Sequence, residues 1–220
     1  MPHAPFSLAV KRAVDVAGAA AGLVVLLPVL AAVAAGVAVA SGRPILFRQV
    51  RPGRGGRPFT ILKFRTMRQA QAGEAWFETM EQRLTPFGRF LRTTSLDELP
   101  ELWNVLRGDM SLVGPRPLLT EYLDLYTPDE ARRHDLRPGL TGWAAVHGRN
   151  TLPFRARLAL DTWYVDHWSL GLDLRILLRT AWQVIRRSDA RSTEDGPQLG
   201  FPVEHLRARH QAGAGPRGQA

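Results

Sequence analysis

The sequence lacks cysteine altogether, and this absence removes several kinds of chemistry at once. Disulfide scaffolds, thiol nucleophiles, thiolate zinc sites and iron–sulfur clusters all require cysteine. Lysine is nearly absent too, since Lys11 and Lys63 are the only lysines in 220 residues. The excess of positive charge, +9 at pH 7, therefore resides in arginine. A guanidinium group suits bidentate contacts with phosphate, which indicates a phosphate-bearing partner, although a biased genomic base composition would also enrich arginine.

Motifs of several well-known enzyme classes are also missing. The glycine-rich turn at 52–56 has neither the spacing nor the lysine of a nucleotide-binding P-loop. His134, His147 and His167 lack the paired spacing of metal ligands, so none of them is given a role. There is no serine elbow and no internal repeat. With 45% hydrophobic and 22% charged residues, the chain has the composition of one folded domain with short additions.

The longest apolar run extends from Val16 to Ala40 and contains no charged side chain. It exceeds the ~20 residues that a membrane-spanning helix needs, and it is longer than the ~7 to 15 apolar residues of a cleavable signal peptide. Pro28 lies near its middle and predicts a bend. Basic residues flank both ends, and because positive charge prefers the cytoplasmic side, they favour a hairpin that enters and leaves one leaflet. A kinked single span is equally open on the residues alone.

Two short strands are predicted after this run, at Ile45–Val50 and Phe59–Met67, with a turn rich in proline and glycine between them. The two-residue period of a strand places Lys63 and Arg65 on one face, where the two cations would project together. That face would meet phosphate, or it would form a solvated or headgroup-facing edge.

The most informative pattern is the stretch LTPFGRFLRTTSLDELPELWNVLRGDMSLVGPRP, from Leu84 to Pro117. Asp97 and Glu98 are adjacent within it, at the predicted start of a helix. Ser95 and Glu98 match a capping box, although Pro100 suits a helix that starts at residue 100. A carboxylate at this place can cap backbone amides, ligate magnesium or attack phosphorus as a nucleophile. The residue types alone favour capping.

Arginines near the acidic pair favour a phosphate ligand over a simple cap. Arg89, Arg92 and Arg107 surround it in the sequence, and Arg116 stands between two prolines. Because the prolines restrict the backbone, Arg116 would lose less conformational freedom on gripping an oxyanion. Alternatively, the same residues form an ordinary proline-rich turn that binds no ligand.

The C-terminal part predicts an amphipathic helix followed by a disordered tail. Apolar residues recur there on one helical face, at Leu174, Leu177, Leu178, Ala181, Trp182 and Ile185. This helix would pack on the core or lie in the headgroup region of a membrane. From Ser188 onward the chain is polar and lacks periodicity, which is typical of disorder.

These motifs, in this order, resemble the bacterial sugar transferase family, the monotopic phosphoglycosyl transferases that begin envelope glycans on polyprenyl phosphate. The resemblance covers roughly Lys11 to Arg187 and is carried by KRAVDVAGA, FRQVRPGRGGRPFTILKFRTM, the Leu84–Pro117 stretch, RPGLTGWAAVHGRN and DTWYVDHWSLGLDLRILLRTAW. It implies an α+β, mostly helical fold of the minimal catalytic form. Residues 1–42 would hold a re-entrant membrane helix bent at Pro28, residues 43–187 a cytoplasmic catalytic domain with a small β-hairpin and interfacial amphipathic helices, and residues 188–220 the tail.

The resemblance also implies the roles of individual residues. Asp97 corresponds to the nucleophile of the family, and Glu98 to its magnesium or orientation partner, so that both are candidate ligands of Mg²⁺. Lys63 matches the basic residue of the family's strand. The phosphate-binding arginines of the family correspond to Arg92, Arg116 and Arg149.

The implied reaction moves a sugar-1-phosphate from a UDP-sugar to polyprenyl (undecaprenyl) phosphate and releases UMP. It would proceed through a sugar-phosphate adduct on Asp97, with Mg²⁺ as cofactor, at the cytoplasmic face of the bacterial inner membrane. Membrane lipid would surround the anchor, no nucleic acid would be bound, and a homodimer stays open. Two alternatives remain: a direct single displacement in which Asp97 only holds magnesium, and a non-enzymatic, membrane-anchored basic domain that binds anions.

The sequence departs from the family's pattern at three positions. Leu27 stands where a serine often precedes the proline of the bend, which leaves the bend angle open. Ala145 and His147 stand where glutamine and asparagine are common. Contacts to the nucleotide or the sugar are expected to differ there, so the identity of the donor sugar is left open.

Overall fold

The computed structural model describes residues 5–69, 80–148 and 152–186, and most of these residues are helical. The predicted tail and Arg149 lie outside the described residues. Two small sheets of two strands each accompany the helices. The elements in chain order are α1 (Pro5–Val25), α2 (Leu27–Ser41), β1 (Leu46–Pro52), β2 (Pro58–Phe64), α3 (Met80–Arg83), α4 (Pro86–Thr94), α5 (Glu101–Arg107), β3 (Ser111–Val113), α6 (Pro128–Ala131), β4 (Gly139–Thr141), α7 (Trp143–Val146), α8 (Phe154–His167) and α9 (Leu170–Arg186).

The apolar run forms two helices that meet at a bend of 64°. The break falls at Leu26, and Pro28 occupies the first turn of α2, where its missing N–H removes no helical hydrogen bond. The predicted bend is therefore confirmed, with its break two residues before the proline. Within the described residues, neither helix alone has the length and apolar composition to cross a bilayer, although the bent pair taken together does.

One side of this bent pair packs on the rest of the protein through small residues. Gly36 lies so close to the Phe87 ring that a β-carbon would come within 2.5 Å of it, and Gly22 similarly faces Leu102. Ala19 and Val37 are fully buried. The other side leaves large apolar side chains exposed around the bend, at Val24, Val25 and Leu27. The pair is thus apolar on both sides and covered on only one.

Polar contacts fasten both ends of the pair to the same body. Near the start of α1, Lys11 Nζ lies 2.6 Å from the Asp173 carboxylate, and Arg12 donates to main-chain carbonyls at the end of α5. At the end of α2, Arg65 donates to the carbonyls of Ser41 and Gly42. Lys11 and Arg12, which belong to the basic flank of the apolar run, therefore also join α1 to α9 and α5, and Arg65 joins the end of α2 to the residues that follow β2.

The predicted hairpin is confirmed, with slightly different bounds. Strands β1 and β2 pair antiparallel from Leu46 opposite Phe64 to Pro52 opposite Pro58. Gly55 and Gly56 in the turn have positive φ values of 64° and 72°, a conformation that favours glycine. The expectation that Lys63 and Arg65 project together is wrong, because β2 ends at Phe64 and Arg65 turns to the end of α2.

A second sheet was not predicted from the sequence. Strands β3 and β4 are parallel, three residues long each, and separated by a long connection. The approach is close because Gly114, Gly139 and Gly142 carry no side chain: a β-carbon on Gly139 would lie 2.1 Å from the Gly114 nitrogen. This contact fixes the start of the loop that carries Arg116.

The amphipathic helix is confirmed as α9, but its predicted apolar face is not the one that packs on the core. Leu172 and Ile176 are buried, whereas Leu174, Leu178 and Trp182 are more than half exposed. Since the helix is apolar on two sides, the exposed side is available for the membrane contact that remains a prediction.

Candidate active site

A sharp change of direction presents the acidic pair between two helices. Helix α4 ends at Ser95, which has a left-handed backbone conformation with φ 56°. A 3₁₀ turn from Leu96 to Glu98 follows, and Pro100 then occupies the N-cap position of α5. The side chain of Ser95 makes no capping hydrogen bond, so the capping-box interpretation is wrong; α5 begins at Glu101, one residue after the alternative start predicted at residue 100. The turn leaves Asp97 and Glu98 outside regular helix.

Glu98 is held by cations from two separate parts of the chain. Lys63 of β2 places its Nζ 2.9 Å from Glu98 Oε1, and Arg116 donates from its Nη2 to the same oxygen. Lys63 also lies 3.5 Å from Glu101 Oε1, in the first turn of α5. The structure thus brings together three of the predicted site residues, Lys63, Glu98 and Arg116, across an interval of more than fifty residues in the sequence.

The acidic side chains of this cluster are almost withdrawn from water. Asp97 is 8% exposed and Glu101 only 2%. Burial raises the pKa of Glu101 to about 8, Lys63 opposes this shift, and the negative charges of Glu98 and Asp97 add to it. Glu101 was not identified from the sequence. Its spacing of three residues from Glu98 is the signal that places the two on one side of a helical segment.

Arg92 occupies the last turn of α4, beside this cluster in the sequence. Its Nε donates to Thr66 Oγ1 at 3.0 Å, which ties the end of α4 to the residues that follow β2. Its contact with a substrate phosphate stays a prediction. The same holds for Arg149, which lies outside the described residues.

A buried ion pair, Arg133–Asp161, holds the main chain at Arg116 in place. Arg133 Nη2 donates to the main-chain carbonyl of Arg116 at 2.6 Å, and its Nη2 and Nε bind Asp161 Oδ2 at 2.6 and 3.1 Å. Burial, the largest single influence, lowers the pKa of Arg133, but Asp161 and Tyr126 together outweigh burial, so that the pKa is raised. The loop of Arg116 is therefore anchored by a group that sequence reasoning missed, since nothing local marks Arg133 as a buried residue.

A pocket opens beside this ion pair, among the Arg116 loop, β4, α7 and α8. Arg157 and Asp161 contribute polar walls and Leu140 an apolar one. Arg157 and Asp161 were also missed by sequence reasoning. Their spacing of four residues puts both on one face of α8, and that was the available signal.

The two departures near residue 146 have different surroundings. Ala145 lines the pocket, so the shorter side chain enlarges it relative to the glutamine that is common there. His147 instead packs against Trp143, with the two rings tilted by 52° and their centroids 3.9 Å apart, and its Nε2 lies 2.9 Å from Arg179 of α9. Ala145 is therefore the departure that bears on a ligand in this pocket.

In this site fixed cations contact Glu98 of the acidic pair, and a pocket lined in part by arginines lies beside them. Such an arrangement is suited to phosphoryl groups. The chain belongs to the bacterial sugar transferase family, which it matches over residues 6–187.

Individual relatives support this assignment. The chain is 54% identical to an uncharacterized sugar transferase, EpsL, of Bacillus subtilis, over 66% of this chain and 71% of that protein. It is 45% identical to a UDP-glucose:undecaprenyl-phosphate glucose-1-phosphate transferase of Caulobacter vibrioides, over 82% of this chain and 71% of the relative. It is 40% identical to an undecaprenyl-phosphate galactose phosphotransferase of Salmonella typhimurium, over 68% of this chain but only 35% of that relative.

Proposed function

We propose that this protein transfers a sugar-1-phosphate from a UDP-sugar to polyprenyl phosphate, with Asp97 as a covalent nucleophile and UMP as the first product. The observation that carries the proposal is the convergence of Lys63 and Arg116 on Glu98, directly beside the buried Asp97. The reactions for which the Caulobacter and Salmonella relatives are named supply the donor and acceptor classes.

The reaction consists of two displacements at one phosphorus atom. A carboxylate oxygen of Asp97 attacks the sugar-bearing phosphorus, the bond from that phosphorus to the bridging oxygen breaks, and UMP leaves with the electron pair. A phosphate oxygen of the polyprenyl phosphate then attacks the same phosphorus, and its bond to Asp97 breaks. The products are a polyprenyl diphosphate sugar and the restored carboxylate.

Negative charge is the main obstacle in both displacements. A carboxylate, and then a phosphate monoester, must approach a phosphorus atom surrounded by negatively charged oxygens. The cluster offsets this repulsion with fixed cations. Glu98 orients Lys63 and Arg116, and the buried Arg133–Asp161 pair holds the loop that carries Arg116. Preorganised cations of this kind are worth ~100- to 1,000-fold in rate for each well-placed group.

The residues present fit a magnesium ion that arrives with the diphosphate rather than one held in a protein cage. Mg²⁺ takes one or two carboxylates and completes its shell with water and phosphate oxygens. Asp97 and Glu98 offer such carboxylates, and across residues 5–69, 80–148 and 152–186 no group of three or more acidic or histidine side chains could form a full cage. When bound, the ion would neutralise charge on the phosphate oxygens.

The bent pair α1–α2 would place this site at the depth of the lipid phosphate. Both ends of the pair attach to the same body, and the exposed apolar residues around the bend, Val24, Val25 and Leu27, form its uncovered side. This arrangement supports a re-entrant helix in the inner membrane, with the catalytic part on the cytoplasmic face. The exposed side of α9, which carries Trp182 and the arginines of this helix, would lie in the headgroup region.

The test is UMP release from a panel of UDP-sugars in detergent with undecaprenyl phosphate and Mg²⁺. We expect wild type to release UMP from at least one donor, and Asp97→Asn to release none while unfolding at the wild-type temperature. A labelled sugar-phosphate trapped on Asp97 in the absence of acceptor would separate this mechanism from the single displacement. Near-normal turnover by Asp97→Asn would exclude Asp97 as the nucleophile.

A further inference from the structure

A second indentation of the surface lies where the start of α1, the turn of the β-hairpin and the segment before β4 meet. Four cations line it, Lys11, Arg12, Arg54 and Arg137, together with one carboxylate, Asp15. Lys11 is paired at 2.6 Å with an aspartate of α9 that lies outside the lining. Three arginines therefore face the single negative charge of Asp15, and no residue of the acidic turn is part of this indentation.

Two of these arginines are held in the same way, each through its Nε. Arg54 Nε donates to the main-chain carbonyl of Asp135 at 3.0 Å, and Arg137 Nε donates to that of Gly108 at 2.8 Å. Within the part of the chain that the structure describes, no hydrogen bond or ion pair joins their terminal nitrogens to another group. Both side chains are thus fixed, and their outer donors remain for an acceptor from outside the protein.

The groups around these arginines compensate only part of their charge. Arg12 donates from Nη1 and Nη2 to two carbonyls at the end of α5, which carry partial rather than full negative charge. Asp15 already accepts from a hydroxyl and a main-chain N–H of β3. Burial, Arg12 and Arg54 lower the pKa of Arg137, and Asp15 opposes this shift. An anion bound between the arginines would therefore relieve their mutual repulsion.

The position of the indentation along α1 favours a lipid headgroup as the source of this anion. Arg12 precedes Val16, the first residue of the apolar run, by four residues, or about 6 Å along the helix. The headgroup layer on each side of the hydrocarbon core is roughly 5 to 8 Å thick. Leu8 also lines the indentation, and Val14 of the same helix is 50% exposed. Cations beside exposed apolar side chains suit a phosphate that carries acyl chains.

We propose that this indentation binds the phosphate of an anionic phospholipid, which accepts hydrogen bonds from the terminal nitrogens of Arg54 and Arg137. The bound headgroup joins the start of α1, the hairpin turn and the segment before β4 at the membrane surface. The anion site is independent of the proposed reaction. The choice of a lipid over free phosphate rests on the proposed function, because it needs α1 to enter the membrane.

Thermal unfolding of the full chain in detergent tests the site, because a ligand that binds the folded state raises the unfolding temperature. Dioctanoyl phosphatidylglycerol is expected to raise it more than dioctanoyl phosphatidylcholine or inorganic phosphate does at the same concentration. Arg54→Gln should weaken the affinity for phosphatidylglycerol about fivefold, as is typical of one arginine at an anionic surface. The matched control is Arg57→Gln, because Arg57 is also exposed in the hairpin turn but does not line the indentation. It should bind like wild type.

Arg54→Lys distinguishes a fixed guanidinium from general positive charge. Lysine keeps the charge but lacks the fork of donors, so this variant should bind phosphatidylglycerol more weakly than wild type. Wild-type affinity in either Arg54→Lys or Arg54→Gln would overturn the site. Equal effects of inorganic phosphate and phosphatidylglycerol would overturn the assignment to a lipid.

Unfolding without ligand checks that the variants are folded, and since Arg54 is exposed, we expect wild-type temperatures for both of its variants. The binding measurement involves no turnover. Failure of wild type to release UMP from UDP-sugars would therefore reject the proposed reaction, whereas an affinity for phosphatidylglycerol that depends on Arg54 would still establish the anion site.

Discussion

The bent helix pair and the acidic turn both depart from the usual distribution of side chains. The helix pair exposes apolar groups, and the turn buries acidic ones. Around the bend, Val25 is 74% exposed although it is apolar, whereas in the turn region Glu101 is 2% exposed although it is acidic. A water-soluble domain would gain by exchanging these environments. The first arrangement is stable where lipid replaces water, and the second where fixed cations, such as Lys63, lie beside the buried carboxyl groups.

The two regions also differ in how they are held. The helix pair is fastened by close backbone packing at Gly22 and Gly36 and by contacts at its two ends. The acidic turn is fastened by charge, through Lys63 from one side and Arg116 from the other. Substitutions should therefore affect them differently: those in the turn act on the reaction, and those at the bend act on attachment to the membrane.

Among substitutions that leave Asp97 in place, the largest effect is expected from Glu98→Gln, which removes the charge shared by Lys63 and Arg116. The rate of UMP release should fall ~100- to 1,000-fold, because both cations lose the group that orients them. The measurement is the initial rate with the preferred UDP-sugar, undecaprenyl phosphate and Mg²⁺. Membrane attachment should not change.

Asp129→Asn is the control for this substitution. Its carboxylate is 72% exposed and pairs with Arg132 at the surface, so its loss should leave the rate unaltered. A Glu98→Gln variant that retained wild-type turnover would show that the two cations are oriented without Glu98.

Val25→Asp tests the other region, the bend of the helix pair. A carboxylate inserted near the bend should weaken association with liposomes by roughly 2 to 3 kcal/mol, or about a hundredfold, because lipid cannot solvate it. Flotation with phospholipid vesicles measures the bound fraction. Val25→Leu keeps the site apolar and should float like wild type, and equal flotation of Val25→Asp would mean that the bend does not enter the membrane.

The difference between the regions explains how much of each could be predicted. The helix pair, its bend and the β-hairpin follow from local patterns, namely an apolar run, a proline and a glycine-rich turn. The pairing of β3 with β4 does not, because it depends on a close approach between Gly114 and Gly139, which are far apart in the sequence. Local periodicity also misjudged Arg65, since the strand ends one residue before it.

The site was predictable only in part for the same reason. Asp97, Glu98 and Arg116 were identified through the family resemblance, because residue types alone favoured a helix cap for the acidic pair. Arg133 and Asp161 form a buried pair over 28 residues of sequence, and neither has a local pattern that distinguishes it from a surface charge. Glu101 was hidden in the same way, within a helix start whose neighbours are apolar.

The last of these effects concerns the pH dependence of stability, and it comes from Glu101. Its pKa is about 8 in the folded protein, above the ordinary value of 4.5. Below about pH 4.5 the group is protonated in both states and its contribution to stability is fully present. As the pH rises towards 8, the unfolded chain loses this proton while the folded one retains it, so the folded state loses stability by at most ~1.4 kcal/mol per pH unit. Glu101→Gln removes the titration and should unfold like wild type near pH 4.5.

At pH 8 the Glu101→Gln variant should be the more stable protein, by up to ~4 kcal/mol, because a neutral amide is buried at no ionisation cost. Thermal unfolding in detergent between pH 5 and 8 measures this, with Asp129→Asn expected to parallel wild type. Parallel curves for Glu101→Gln and wild type would mean that Lys63 keeps Glu101 ionised in the folded protein, which makes the turn a balanced ion cluster. Diverging curves would mean that Glu101, next to the acidic pair, stays protonated in the folded protein up to a higher pH than in the unfolded chain. This lowers the stability of the folded turn at high pH, and the apolar bend has no comparable effect.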